Sequence, residues 1–481
     1  MENLRATTPS ILGQRYASTP MLTIWSPREK VILERKLWVA VMKAKKALGV
    51  EIDDQVIADY ERVVEDVDLE SIRQRELKLN HDVVARKQEF DELAGHTVAH
   101  EDLTSRDDTD NHEQLLIVQA LMLTRHNVVA TLLRFGKRMN EWRELDTCGR
   151  SHNMPGQTTT LGKRFATWAD ELLGALTQLD HVFDTYRIRG FSGPMGTGQD
   201  LGNRLGSTAT ESSYQRVKKL SLDVLGSLKS EEELLLSTGQ IYPRSLDYRV
   251  VSVLKELSMP LTSMATTLRL MAGNKLLNEG FKPGRKGSSA MPHKVNPSRC
   301  ERIVGLSRVL SGHVAMAQEN GGNQWYEGDV ACSVVRRVIF PDAFYAIDGI
   351  LETAMTILDE MNVFPAMIAK ELQEELPFLN TTMLRQAAVA AGVDDKQVYE
   401  RIQEYALAAA NDVVSGRGNT LVHRIVEDMD TFPMAEDQIR ELLTTPDHGH
   451  APHQVDSVSV RIEQIRSENL EATLYTPEPL L

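Results

Sequence analysis

The sequence predicts an all-α protein built around a bundle of long helices. Three observations lead there. Long stretches carry apolar residues at helical spacing, several of them far beyond the typical helix of about 11–12 residues. Regularly spaced alternating strands are missing, which argues against a parallel α/β sheet. The 481 residues exceed one ordinary core, and 42% apolar content is enough for a large one.

Element by element, Ser26-Pro27-Arg28-Glu29 reads as a capping box with proline at the first helical position. The helix it opens carries Val31, Ile32, Trp38, Val39 and Met42 on one stripe and stops at Gly49. Further helical segments follow at about 113–142, 157–187, 208–226, 245–278, 298–319 and 329–361. Pro260 and Pro341 fall inside two of them and should kink them. Leu261, Met264, Leu268 and Met271 form a stripe expected in a core or an interface. The polar run Arg106–His112 and the turn near Asn362–Pro365 are natural boundaries. They divide the chain into an N-terminal helical domain (1–110), a central long-helix bundle (111–363) and a C-terminal helical domain (364–481). Wide apolar faces on the long helices predict a bundle shared between subunits.

The formal net charge of −14 argues against a nucleic-acid partner, whose phosphates need a basic surface. A small anionic substrate needs only a local basic pocket, for which Arg285, Lys286, Lys294, Arg299, Arg302, Arg336 and Arg337 are candidates. Three widely spaced cysteines, Cys148, Cys300 and Cys332, suggest no disulfide framework and fit a reducing cytoplasm. The N-terminal residues carry no secretory pattern, and no segment reads as a membrane span.

The stretch Gly287-Ser288-Ser289-Ala290-Met291-Pro292-His293-Lys294-Val295-Asn296-Pro297 is the most informative. Glycine and proline exclude ordinary helix and make it a loop able to bring a hydroxyl, a cation and an amide over a bound anion. The bland alternative is a linker between two helices. Four histidines lie in polar, turn-like sequence: His81, His100, His152, placed just before a helix, and His293. Such an imidazole titrates near neutrality and stays reachable for acid–base work. His448, His450 and His453 only superficially resemble a metal site, lacking a partner cluster. Gly190–Gly198 is glycine-rich but lacks the strand and Lys-Ser/Thr of a phosphate loop, and reads as a tight connection between two bundle helices.

The loop matches the signature Gly-Ser-Ser-x-Met-Pro-x-Lys-x-Asn-Pro of the fumarase/aspartase superfamily. Across nearly its whole length the chain resembles the adenylosuccinate lyases in particular. Arg15-Tyr16-Ala17-Ser18, His81-Asp82-Val83, Thr104-Ser105, Ser151-His152, Thr159–Arg164, Gly239-Gln240 and Ser333–Arg337 recur in the family's order. The resemblance implies three helical domains, a 20-helix core pooled from four subunits, and active sites each built from three chains. It implies elimination of fumarate from adenylosuccinate, giving AMP, and from the succinyl-carboxamide ribotide of purine synthesis, with no metal or organic cofactor.

Roles follow residue by residue. Ser288 is similar to the family's general base and His152 to its general acid, with His81 and Asp82 beside the substrate. Arg15, Tyr16, Ser333 and Arg337 match nucleotide- and phosphate-binding positions. Thr104, Ser105, Lys294 and Asn296 match positions around the succinyl carboxylates, and Gln240 and Arg302 match further substrate contacts. A competing assignment makes a histidine the base and Ser288 a hydrogen-bond donor. Three departures stand out: Asn80 and Gly328 occupy positions commonly held by arginine, and Glu101-Asp102 replaces a smaller pair. Two other readings are a related fumarate-releasing lyase, such as an argininosuccinate lyase, and a helical scaffold without catalysis.

Overall fold

The computed structural model describes residues 8–226, 233–280, 291 and 293–480. Ser288 and its neighbours Gly287, Ser289, Ala290 and Pro292 lie outside the described residues, as do Arg285 and Lys286. The chain opens with two short helices, α1 (Ile11–Tyr16) and α2 (Thr19–Ile24). A helical layer follows: α3 (Pro27–Ala47), α4 (Asp54–Arg62), α5 (Leu69–Leu79) and α6 (Asp82–Ala94). Its core gathers Trp38, Tyr60 and Phe90, whose rings lie 4.9–5.9 Å apart in successive pairs. Ser26 caps α3 by accepting from the N–H of Glu29 at 3.1 Å. The reciprocal half of the expected box is not made, because the Ser26 N–H donates to the Thr23 carbonyl instead.

The middle of the chain holds α7 (Ser105–Glu141), a hairpin of β1 (Asp146–Ser151) and β2 (Met154–Thr160), and α8 (Leu161–Thr185). Two smaller helices, α9 (Gln199–Leu205) and α10 (Ser213–Leu225), precede α11 (Ser245–Gly273). Then come β3 (Leu277–Asn278), α12 (Ser298–Asn320), α13 (Ala331–Glu360) and β4 (Asn362–Val363). Helices α7, α8, α11, α12 and α13 share one continuous apolar core. Leu261, Met264, Leu268 and Met271 are buried in it, as their spacing predicts.

Side-chain links fix the directions. Arg106 reaches Ser333, Asn127 reaches Asp348 and Arg138 reaches the Asp359 carbonyl, so α7 and α13 run parallel. Arg336 pairs with Asp247, which sets the start of α11 beside them. Arg125–Asp180 and Arg299–Glu360 place α8 and α12 antiparallel to these three. The bundle therefore has a near end, where α7, α11 and α13 begin, and a far end carrying the hairpin and the start of α12.

Three expectations are corrected. The segment from 157 is strand before it is helix. Thr158 and Thr159 pair with Cys148 and Thr147, and α8 begins only after Thr160, whose hydroxyl caps it by accepting from the Lys163 N–H at 3.2 Å. The Gly190–Gly198 loop joins α8 to the small α9–α10 pair, not two bundle helices. Helix α7 is long and apolar enough over one stretch to pass for a membrane span by length and composition, but most of that stretch is buried against the other bundle helices.

The C-terminal part continues with α14 (Pro365–Leu379), which packs Leu372, Leu376 and Leu379 against Cys148 of the hairpin, and with α15 (Thr381–Ala390), α16 (Asp395–Val414), α17 (Leu421–Glu427) and α18 (Glu436–Thr444) around a separate core. The last helix, α19 (Ala451–Glu468), returns to the bundle, where Ile462 packs over Gly136 of α7.

Candidate active site in two halves

Three helix starts converge at the near end. His81 is the N-cap of α6, its Nδ1 accepting from the Val84 N–H at 3.3 Å. That bond leaves the proton of the neutral ring on Nε2, which lies 3.5 Å from Ser105 Oγ, the outer limit of a hydrogen bond. Thr104 caps α7, and its own N–H donates to Asp107 Oδ2 at 3.0 Å. Ser333 sits in the first turn of α13. Together His81, Asp82, Ser105, Arg106, Ser333 and Arg337 line a cleft of about 300 Å³, with Lys30 and Arg86 at its wall. Helix N-termini and cations on one cleft make an environment suited to an anion.

Arg337 is mostly exposed and pairs with Asp82 at 3.2 Å. Partial burial pushes the Asp82 carboxyl up, but Arg86, the Val83 N–H and Arg337 hold it below the ordinary carboxylate value. Asn80 has a structural explanation. It takes the left-handed conformation (φ 53°) that ends α5, donating to the Glu76 carbonyl at 2.8 Å. Asparagine tolerates that backbone better than arginine does. Glu101 and Asp102 are turned to Lys45, whose ammonium lies 2.8 Å from Asp102 Oδ2. Gln240 lies at this end too, its N–H donating to the Glu327 carbonyl at 2.8 Å.

Beneath the cleft is an ionic cluster that sequence reading missed. Asp110 and Asp247 are fully buried, as are Arg244 and Arg336. Arg336 reaches Glu113 at 2.6 Å and Asp247 at 3.0 Å, and donates to the Tyr242 hydroxyl. Burial raises the Asp110 carboxyl, but Arg244, Arg336 and Arg106 outweigh it and keep the group ionised. Nearby, burial and the adjacent Glu34 push the Asp108 carboxyl well above the usual carboxylate range. The sequence offers only a dense run of acids and amides in Ser105–Gln114, which by itself reads as a solvated helix start.

The far end holds different residues. His152 is exposed at the tip of the β1–β2 hairpin, not just before a helix. It and Asn153 both have positive φ (53° and 63°), as a two-residue hairpin turn with the twist of its strands requires. The hairpin borders a groove of about 720 Å³ lined by Ser151, Thr158, Thr159 and Lys163. Gly162 seats its exit on the end of α7, because a Cβ there would lie 2.3 Å from the Met139 carbonyl. Lys294 is exposed and Asn296 half-buried, just ahead of α12. Tyr16 lies between two guanidiniums, Arg15 at 5.7 Å and Arg302 at 5.4 Å from its ring centre. Its carbonyl packs on Gly349 of α13, where a Cβ would approach to 2.6 Å.

His100 is a core histidine. Its Nδ1 accepts from the Trp38 indole at 3.2 Å, and burial pushes its pKa down to about 4. His448 lies 2.7 Å from Asp146.

One chain thus brings His81, Asp82, Thr104, Ser105, Gln240, Ser333 and Arg337 to one end and leaves His152, Lys294, Asn296, Arg302, Arg15 and Tyr16 toward the other. The 37 residues of α7 span roughly 55 Å between the two groups. The nucleotide set implied by the resemblance is split as well. Tyr16 opposes Gly349, about 24 Å along α13 from Ser333.

The family described as lyase matches residues 14–312. The chain is 32% identical to an adenylosuccinate lyase of Saccharomyces cerevisiae, covering 94% of this chain and 93% of that one. It belongs to the adenylosuccinate lyase family. An adenylosuccinate lyase of Schistosoma mansoni is 30% identical, with 87% of each chain covered. In fold the chain is similar to the 3-carboxy-cis,cis-muconate lactonizing enzyme of Pseudomonas putida (TM-score 0.81, 17% identity, 94% of this chain and 99% of that one). It is also similar to a fumarate lyase of Mesorhizobium (TM-score 0.75, 20% identity, 93% and 99%). The all-α architecture with its long-helix bundle is that of the fumarase/aspartase superfamily, to which the adenylosuccinate lyase family belongs.

Proposed function

We propose that the protein eliminates fumarate from adenylosuccinate, leaving AMP, and from the succinyl-carboxamide ribotide, leaving the carboxamide. Family membership supports the reaction class. The observation that carries the site assignment is the pair of complementary half-sites at opposite ends of one bundle. The near end offers cations and helix starts to a phosphate or carboxylate. The far end offers an exposed histidine and the lysine and asparagine of the signature loop.

The chemistry needs both. A proton leaves the succinyl carbon next to a carboxylate, the carbon–nitrogen bond breaks, and its electron pair goes to the departing nitrogen. Ser288, acting as its alkoxide, takes the carbon-bound proton and becomes a neutral hydroxyl, and His152 gives a proton to the nitrogen. Lys294 and Asn296 stabilise the charge that builds on the carboxylate in the transition state. No step requires a metal or an organic cofactor.

The two halves meet only between subunits, so we assign the protein as a homotetramer whose sites are each shared by three chains. Supporting this, Val330, just ahead of α13, and Val334 and Val338 on it form an exposed apolar row at four-residue spacing, with Val309 and Met316 exposed on α12. Neither nucleic acid nor a membrane is a partner in this reading. The test is direct: purified protein and adenylosuccinate should yield fumarate and AMP in equal amounts. No fumarate release from either succinyl compound would refute the reaction. A stable, fully active monomer on sedimentation would refute the shared site.

A further inference from the structure

We propose that Arg106 grips the substrate's phosphate beside Ser333 and Arg337, standing in for the arginine that this chain lacks at position 328. This rests on reading the near-end cleft as the phosphate subsite. It adds a residue to which the family resemblance assigns no role.

Position 328 is closed to any side chain. Gly328 has φ 140°, and a Cβ built there would lie 2.7 Å from Ile241 Cγ1. The guanidinium is instead found across the cleft. Arg106, in the first turn of α7, projects its Nη2 to within 2.6 Å of Ser333 Oγ, and its side chain is 12% exposed at the cleft wall.

Its charge is not spent there. Ser333 is neutral. The carboxylate that Arg106 faces, Asp110 at 3.3 Å, is already bonded through both oxygens to Arg244 at 3.1 Å and lies 3.5 Å from Arg336. Lys30, Arg106, Arg244 and Arg336 face Asp110, Glu113 and Asp247, so among the described residues the cluster carries one cation more than it has carboxylates. Arg106 is a member that reaches the cleft. An anion there completes the balance.

The same hydrogen bond prepares Ser333. With its oxygen accepting from Arg106, the hydroxyl hydrogen is directed elsewhere, toward an acceptor in the cleft. A phosphate monoester, with three acceptor oxygens and up to two charges, can take the serine hydroxyl and both guanidiniums at once. Both arginines face a carboxylate that other cations share, but the Arg337 side chain is 63% exposed and that of Arg106 only 12%, so Arg106 is the more fixed of the two.

The test compares adenylosuccinate with its dephosphorylated nucleoside on the full tetramer. Arg106→Gln should lower kcat/KM for the nucleotide roughly 10- to 100-fold, chiefly through KM, the range for one charge-assisted bond. The nucleoside should change less than about twofold. Arg106→Lys should fall between, because lysine keeps the charge but loses the fork. An equal loss on both substrates, or none on the nucleotide, overturns the inference. Ser333→Ala and Arg337→Ala are run alongside. If they discriminate against the nucleotide and Arg106→Gln does not, only Arg106 is misassigned. If none of the three discriminates, the cleft is not the phosphate subsite and both readings fall. Should Arg106→Gln fail to fold, Arg106→Lys gives the same comparison, and an equal fall on both substrates again refutes the inference.

Discussion

Two inactive variants of this protein should restore each other. His81 lies at the start of α6 beside the first turn of α7, and His152 lies in the hairpin that follows the end of α7. The intervening helix of 37 residues spans roughly 55 Å. Substrate-sized groups bridge about a fifth of that distance, so under the proposed assignment a working site takes its His81 and its His152 from different chains. His81→Ala and His152→Ala tetramers, mixed in equal amounts, dissociated and reassembled at random, then follow simple statistics. A given site receives an intact His81 half of the time and, independently, an intact His152 half of the time. About a quarter of the sites are therefore wild type, and activity should recover to roughly a quarter of the native value. The assay is fumarate release before and after subunit exchange, with each variant exchanged against itself as control. Recovery no greater than the mean of the two parents would mean that both histidines act from one chain, and would sink the argument from helix length.

Three further outcomes follow from the described geometry. Arg336→Met should destabilise the protein by about 3–5 kcal/mol, because it removes the ion-pair partner of the fully buried Asp247 and leaves Glu113 with Lys30 alone; an unchanged urea midpoint would mean that the cluster contributes nothing. His152→Ala should slow elimination roughly 100- to 10,000-fold and be rescued in part by a substrate whose leaving group needs no proton, whereas Ser288→Ala should not be; the opposite pattern of rescue exchanges the acid and the base. Burial, with Asp348 beside it, pushes the Glu352 carboxyl up to about 8, and burial pushes Asp348 to about 6. Both groups favour the protonated folded state. Their stabilisation is complete below about pH 4 and is lost as pH rises toward 8, at up to about 1.4 kcal/mol per pH unit for each proton. Glu352→Gln should therefore gain stability relative to wild type between pH 5 and 8, and a constant difference across that range would show that Glu352 is ionised throughout.

Much of the bundle was legible because it rests on periodicity. The stripe from Leu261 to Met271 and the long segments after 245 announce buried helix faces, and those faces are where the core lies. The hairpin was not legible. Its strands are mostly small and polar residues, with four Thr and two Gly and no apolar alternation to mark them, and the cue that remains is the His152-Asn153 pair able to adopt a left-handed turn. The candidate site was legible as a set of residues through the signature and the family order. Its division between two ends was not, because distance along the bundle depends on which helices run parallel. That is settled by contacts such as Arg106 to Ser333, 227 positions apart in sequence. The buried charges were missed for a related reason: a polar run looks like a solvated face until the partners that neutralise it, Arg189, Arg244 and Arg336, arrive from remote segments.

The first turns of α7 explain why such a costly sequence is kept together at one end of the bundle. The side chains there reach three separate segments. Asp107 accepts from Arg189 and from the Ser192 and Gly193 N–H groups, fixing the loop after α8. Asn111 binds both polar groups of the Gly190 peptide, and Gln114 takes the Arg189 N–H. Asp110 accepts from Arg244, ahead of α11, and Glu113 from Lys30 of α3. Apolar packing is non-directional and would let these elements slide by an ångström at little cost. Buried hydrogen bonds and ion pairs do not allow that slip, since each misplacement leaves a charge unpaired. If the near end binds substrate as proposed, it must hold Ser105, Arg106, Ser333 and His81, borne on three separate helices, in one geometry before the substrate arrives. A polar hub does that where a purely apolar one would give comparable stability with less definition.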